Sequence, residues 1–274
     1  PKRLMKQESL GRYQIPHTEK NMNKVPKIVV ALLASLFVTT AFSQPDEPAI
    51  DPGAIAALEK MGGYLRTLKA FRVQAITTND TVLEDGQKIQ HEGTADILAN
   101  VPKGLRIHTD NDRHERLFLY DGKAFTLWGQ RMDYYATVDA PDTIGKLADM
   151  LEEKYGMDLP EIDLFRWGTA KMDTTAIIGA MDVGPAVING TTCQHYAFRQ
   201  DDIDWQIWIQ KGDYPLPRKV VITTKTDDAR PQHTAEYQWD LAPSFNDAAF
   251  TFDPPKGALR VVLEDTLSSD DANE

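Results

Sequence analysis

The 274-residue chain has a single cysteine, Cys193. One thiol excludes an internal disulfide, so even in an oxidising compartment the fold must rest on a hydrophobic core. It also excludes the paired-cysteine spacings of structural zinc sites. Long apolar runs are scarce. The longest, Ile28–Val38, falls short of the roughly 20 residues that a membrane-crossing helix needs. No Gly-x-Ser-x-Gly elbow, Gly-rich phosphate loop or His-Glu-x-x-His motif occurs. Positive charge is short as well. Residues 1–43 hold seven Lys/Arg and two Asp/Glu, which leaves 23 basic against 39 acidic residues from Gln44 onward. A net charge near −16 repels phosphate backbones and anionic membrane surfaces, so nucleic acid is not an expected partner.

The N-terminal 43 residues carry an export pattern. Lys24 and Lys27 precede the Ile28–Val38 run, and Ala41-Phe42-Ser43 places small residues at the −3 and −1 positions of a cut before Gln44. Residues 22–43 are expected to be a cleaved signal peptide, and residues 1–21 an upstream leader outside the fold. The residue after the cut is Gln44, not cysteine, so no lipid anchor is expected. The expected location is the periplasm, and the protein is not expected to be integral to a membrane.

Beyond Gln44, residues 44–50 form a Pro- and acid-rich flexible leader. Asp51 suits a helix N-cap with Pro52 at the first helical position. Ile55, Leu58, Met61, Leu65 and Leu68 then recur at helical spacing, with Gly62-Gly63 weakening the middle. From Phe71 to Val138 the period is two, and turn formers such as Asp85-Gly86 and Asp121-Gly122 divide six strands of an antiparallel meander. Helical spacing returns between 141 and 182, with Ile144, Leu147, Ala148, Leu151 and Tyr155 on one stripe. Five more strands follow, the first two joined by Asn189-Gly190, and residues 264–274 read as a disordered acidic tail. No linker divides the strand sets. Residues 51–263 are therefore expected to be one α+β domain, mostly β, with a long curved antiparallel sheet and helices on one face.

The groups that carry chemistry are scattered. His91, His108, His114, His195 and His233 form no metal-ligand spacing, and neither a metal nor another cofactor is expected. Cys193 and His195 share a strand face, but i,i+2 side chains on a strand diverge, which disfavours a nucleophilic dyad. The acidic pairs Asp201-Asp202 and Asp227-Asp228 fall at turns and read as solvated loop charge. Large apolar residues instead crowd both faces of Leu117–Tyr120, Phe125–Trp128 and Ile203–Ile209. A sheet with one wet face alternates cleanly. Crowding on both faces means that each face is covered or that one lines an apolar cavity.

Four segments carry a resemblance. Asp204-Trp205-Gln-Ile-Trp208 through Leu216-Pro217-Arg218-Lys219, and the ending Phe250-Thr-Phe252-Asp-Pro254-Pro255-Lys-Gly257-Ala258, are similar to segments of the LolA/LolB-like superfamily. Asp163–Gly168 and Asn189-Gly190-Thr-x-Cys193-x-His195-Tyr196 resemble an uncharacterised family of predicted periplasmic proteins within it. The resemblance spans about 52–263. It implies a half-open barrel of about eleven strands with helices as a lid on the concave side, and a non-catalytic carrier of lipids or lipoprotein acyl chains. The candidate cavity lining is Phe118, Tyr120, Phe125, Trp128, Trp205, Ile207 and Trp208, and the candidate lid is Leu147, Leu151, Phe165 and Trp167. The expected partner is a hydrophobic ligand such as a lipid or an acylated protein. The alternative is an envelope interaction or sensor module that uses the same fold without lipid cargo.

Overall fold

Asp51 opens the helix α1 (Pro52–Thr67), its carboxylate accepting from the Gly53 amide at 2.7 Å, with Pro52 inside the first turn. This is the first helix of the computed structural model, which describes residues 49–265. The expected leader 1–21, the expected signal peptide 22–43 with its cut, residues 44–48 of the expected flexible leader and residues 266–274 of the expected 264–274 tail lie outside the described residues. Ala54, Leu58, Met61 and Leu65 form the buried stripe of α1. Ala49 and Ile50, expected in a flexible leader, are tied down. Ile50 bridges Ala180 in parallel, and the Asp51 amide donates to the Ala180 carbonyl at 2.9 Å.

The first meander is β1 (Ala70–Val82), β2 (Lys88–Asn100), β3 (Gly104–Asn111), β4 (Glu115–Tyr120), β5 (Ala124–Gly129) and β6 (Tyr134–Asp139). Then come α2 (Ile144–Tyr155), capped by Thr143 and ended by Gly156 in the left-handed region, and the single turn α3 (Asp163–Arg166). The second meander is β7 (Gly179–Ile188), β8 (Thr191–Arg199), β9 (Ile203–Gln210), β10 (Pro217–Thr224) and β11 (Gln232–Asp240). Asn189 and Gly190 both have positive φ, 47° and 77°, as a tight β7–β8 hairpin turn requires. Helical spacing was expected as far as 182, yet β7 begins at Gly179. It is an edge strand with a bulge between Asp182 and Gly184 and exposed Met181, Val183 and Val187, so its sequence does not alternate.

All strands join one open sheet in the order β12-β6-β5-β4-β3-β2-β1-β11-β10-β9-β8-β7, where β12 (Leu259–Arg260) lies parallel to β6. With this two-residue strand the described residues hold twelve strands, where about eleven were expected. The two meanders are stitched by β1 and β11, antiparallel from Arg72↔Asp240 to Asn79↔His233. Both faces are partly covered, by different means. On the inner face, Phe71, Val73, Ile97, Ile107, Phe118 and Ile207 share one buried cluster with Leu58 and Met61 of α1, Leu147 and Leu151 of α2, and Phe165 of α3. Each such side chain contributes roughly 1.5–3 kcal/mol by leaving water. On the outer face, the segment after β11 folds back over β4–β6. Phe252 sits 5.6 Å from Trp128 and 5.1 Å from Tyr135, ring centroid to centroid. That strap is why β4 and β5 are apolar on both faces.

Candidate functional site

Register assigns each side chain to a face. Ala180, Phe198, Trp205, Ile222, His233 and Asn79 pair in turn across β7, β8, β9, β10, β11 and β1, and so form one row on the inner face. At the β7 edge of the sheet is an open cavity of about 610 Å³, whose lining combines Ile50 and the row members Ala180, Phe198 and Trp205 with Met181, Ala197, Arg199, Asp204 and Gln206, which the register turns to the outer face. Phe198 and Trp205 stack at 4.3 Å with 23° between their planes. Both are buried, Trp205 with 8% of its surface exposed. Asp51, Asp182, Arg199 and Asp204 add polar groups to the lining. The Trp205 Nε1–H is buried without a hydrogen-bond acceptor. Such an orphan is uncommon, because a buried donor left unpaired costs about 1–3 kcal/mol.

At the other end of the row the segment between α2 and α3 meets the sheet through polar groups. Glu161 has φ of 54°, a conformation that non-glycine residues seldom adopt, and its side chain is 7% exposed. The Tyr237 hydroxyl donates to Glu161 Oε2 at 2.5 Å, and His233 Nε2 lies 3.6 Å from Glu161 Oε1. Complete burial, then the neighbouring Glu161 charge, hold the Tyr237 phenol well above its ordinary value. His233 Nδ1 is 2.7 Å from Asn79 Oδ1. Arg66 of α1 ties down the other side of α3, donating to the carbonyls of Leu164 at 2.5 Å and Phe165 at 2.6 Å. Burial lowers the pKa of this guanidinium.

Of the seven candidate lining residues, Trp205 lies on the cavity wall, and Ile207 follows it on the inner face, paired with Val220. Phe118, Tyr120 and Phe125 are on the inner face but packed in the central cluster with α2, away from the cavity. The Tyr120 hydroxyl donates to the Pro141 carbonyl at 2.6 Å. Trp128 and Trp208 need correction. They lie on the outer face, since residues one step from Leu127 and Ile207 must point the other way. Trp128 packs on Phe252, and Trp208 stacks on His195 at 4.0 Å with Lys219 Nζ 5.7 Å from its ring centroid. Leu147, Leu151, Phe165 and Trp167, the candidate lid residues, are all buried in the inner cluster. Phe198, Ala180 and Glu161 were missed. Phe198 was legible from its alternation with Tyr196 in β8, whereas nothing local marks Glu161.

Cys193 and His195 have separate partners. The thiol donates to the Thr191 carbonyl at 3.5 Å, and His195 Nε2 lies 3.0 Å from Gln206 Oε1. Burial raises the thiol and lowers the imidazole from their ordinary values, so the thiol is held away from its nucleophilic form. Among the described residues no group of His, Cys, Asp and Glu is placed to hold a metal ion. No described helix is long and apolar enough to cross a membrane.

A search of curated proteins found no match. Among solved structures the chain is similar to LprF from Mycobacterium bovis, with 12% identity over 73% of this chain and 97% of LprF and a TM-score of 0.45. It is similar to a LolA superfamily protein from Nitrosomonas europaea, at 10% identity over 73% of this chain and 97% of that one, TM-score 0.31. A further match is the MucA/MucB complex of Pseudomonas aeruginosa, at 14% identity over 73% of this chain and 61% of that one, TM-score 0.39. Over residues 54–264, nearly the whole of the described fold, the sequence matches a family directly, and the chain belongs to it: the family described as "Predicted periplasmic protein (DUF2092)".

Proposed function

We propose that this protein binds a hydrophobic ligand, a lipid or a lipoprotein acyl chain, in the β7–β9 cavity and carries it through the periplasm without covalent chemistry. The observation that supports this most is the cavity. At about 610 Å³, with Ile50, Ala180, Met181, Phe198 and Trp205 in its lining, it falls within the roughly 300–1,000 Å³ of small-molecule sites. Each buried methylene contributes about 0.8 kcal/mol, so eight to twelve of them supply roughly 6–10 kcal/mol before the costs of association. No catalytic group is needed for this, and the separate engagement of Cys193 and His195 is consistent with a binding role.

Thermal melts with a series of acylated compounds, alongside native mass spectrometry of protein taken from its own periplasm, test the proposal. A ligand that binds only the folded state raises Tm by mass action. The replacement Ala180→Phe, which fills the cavity, should abolish the rise. The alternative, an envelope interaction module without lipid cargo, is favoured by the filled inner face beneath α1 and α2. A protein with no Tm shift from any acyl compound, and no lipid carried from the periplasm, returns the function to that reading.

A further inference from the structure

We infer that the β7–β8 hairpin docks this protein on a bilayer of zwitterionic lipid, its aliphatic side chains entering the boundary between headgroups and acyl chains. The sequence supplies the first observation. From Thr174 to Gln194 the chain has one charged residue, Asp182, where its average composition would place about five. Asp182 is engaged inside the hairpin. Its Oδ1 accepts from the Gly184 amide at 2.9 Å and from the Gln194 side-chain amide. The second observation is exposure. Met181, Val183 and Val187 are 57%, 49% and 66% exposed, and exposed Ile178 and Ile50 continue the patch at the start of β7. Contiguous exposed apolar surface marks contact with a protein or a membrane.

The main chain of β7 decides between those partners. A second copy or an extended peptide would add a strand to this edge. The edge is poorly made for that: it is bulged between Asp182 and Gly184, the Gly184 N–H is already bonded to Asp182, and Pro185 has no N–H. The Ala180 N–H and C=O are taken by Ala49 and Asp51. None of the five exposed side chains is an aromatic or an arginine, the types that anchor most protein interfaces. The same features suit lipid. Few free donors leave little to desolvate at headgroup level, where ester carbonyls and water accept from those that remain. The charge of the chain selects the lipid. With 41 acidic against 30 basic residues and no cation between Thr174 and Gln194, anionic headgroups are repelled and zwitterionic ones are not. Ile50 and Met181 belong both to this patch and to the lining of the cavity, yet docking of this kind does not depend on what the cavity holds.

Flotation with phosphatidylcholine vesicles is the test. The wild-type protein should rise with the vesicles, and added salt should leave this unchanged because no charge pair is involved. Phosphatidylglycerol in place of part of the lipid should weaken the association at low salt, and added salt should restore it. Val183→Asp and Val187→Asp should each lower the partition coefficient roughly tenfold or more, since each removes an aliphatic group from the boundary and sets a charge there. Ile76→Asp, the same change at a 50% exposed isoleucine in mid-sheet, should leave it as it is. Circular-dichroism melts check that the three variants fold. A measurement on the wild-type protein needs no variant: vesicles carrying a spin-labelled acyl chain should broaden the methyl signal of Met181 and spare that of buried Met61. Absence of wild-type flotation with either vesicle overturns the inference, as does flotation undiminished in both hairpin variants or a Met181 signal left sharp. A concentration-dependent dimer in sedimentation that Val187→Asp dissolves makes a second copy the occupant, and overturns it as well.

Discussion

Two adjacent glycines in α1 should respond to the same substitution with opposite sign. Gly63 is exposed in the helix interior, and a Cβ built there would meet nothing within 4 Å. Gly63→Ala should therefore express its helix propensity and stabilise the protein by about 0.8–1 kcal/mol. Gly62 is buried, and its Cβ would lie 2.5 Å from the Gly168 nitrogen, 2.6 Å from the Gly168 Cα and 3.1 Å from the Trp167 carbonyl carbon. All three are backbone atoms, so no side chain can swing aside. Gly168, with φ of 74°, is itself confined to a conformation that favours glycine. Relieving the clash means moving the α3 segment off α1, at the upper end of the 1–3 kcal/mol typical of overpacking. Net of the same propensity gain, Gly62→Ala should destabilise by about 2 kcal/mol. At about 2–4 °C per kcal/mol for a domain of this size, Tm should rise by about 2–4 °C for Gly63→Ala and fall by about 4–8 °C for Gly62→Ala. Calorimetry or circular-dichroism melts of the two purified variants decide the matter. A Gly62→Ala protein as stable as wild type would refute the close approach of α1 to the segment after α3.

Tyr237→Phe removes the hydroxyl that donates to Glu161 and leaves a buried carboxylate one donor short. Chemical denaturation should show a loss of about 1–3 kcal/mol, with faster hydrogen exchange in 157–168. Tyr120 has its phenol pushed up to about 12 by burial and then by Asp142 and Asp121. The folded state thus favours the neutral form, so its stabilisation is complete below the unfolded value near 10 and is lost as pH rises from 10 through 12. Melts across that range should show the decline, and Tyr120→Phe should flatten it. Cys193→Ala should cost about 1 kcal/mol, the loss of one buried heavy atom, and leave acyl binding unchanged in a thermal-shift titration. Complete loss of binding in a folded Cys193→Ala protein would point to chemistry at the thiol.

The features that are local in the chain were legible in its order of residues. Asp51-Pro52 and the apolar stripe mark α1, the stripe from Ile144 to Tyr155 marks α2, and Asn189-Gly190 forces the β7–β8 turn, because caps, stripes and tight turns depend on neighbours within a few residues. The two-residue period of the strands was equally visible. Period alone divides a strand into two faces without saying which is inside, and that is why Trp128 and Trp208 were grouped with Trp205 although they point outward. Only the tertiary structure decided this, once β1 had paired with β11 across more than 150 residues and the helices had covered one side. The cavity is likewise non-local, assembled from Ile50, Ala180, Phe198 and Trp205 on four separate segments. The same holds for Gly62, which reads as a weak point in a helix until Gly168 is brought against it. It holds too for Glu161, whose burial depends on Tyr237 and His233 from a strand about 70 residues further along. Short-range stereochemistry sets the elements of this protein, and contacts between distant segments, fixed only when the sheet closes over its helices, make the site.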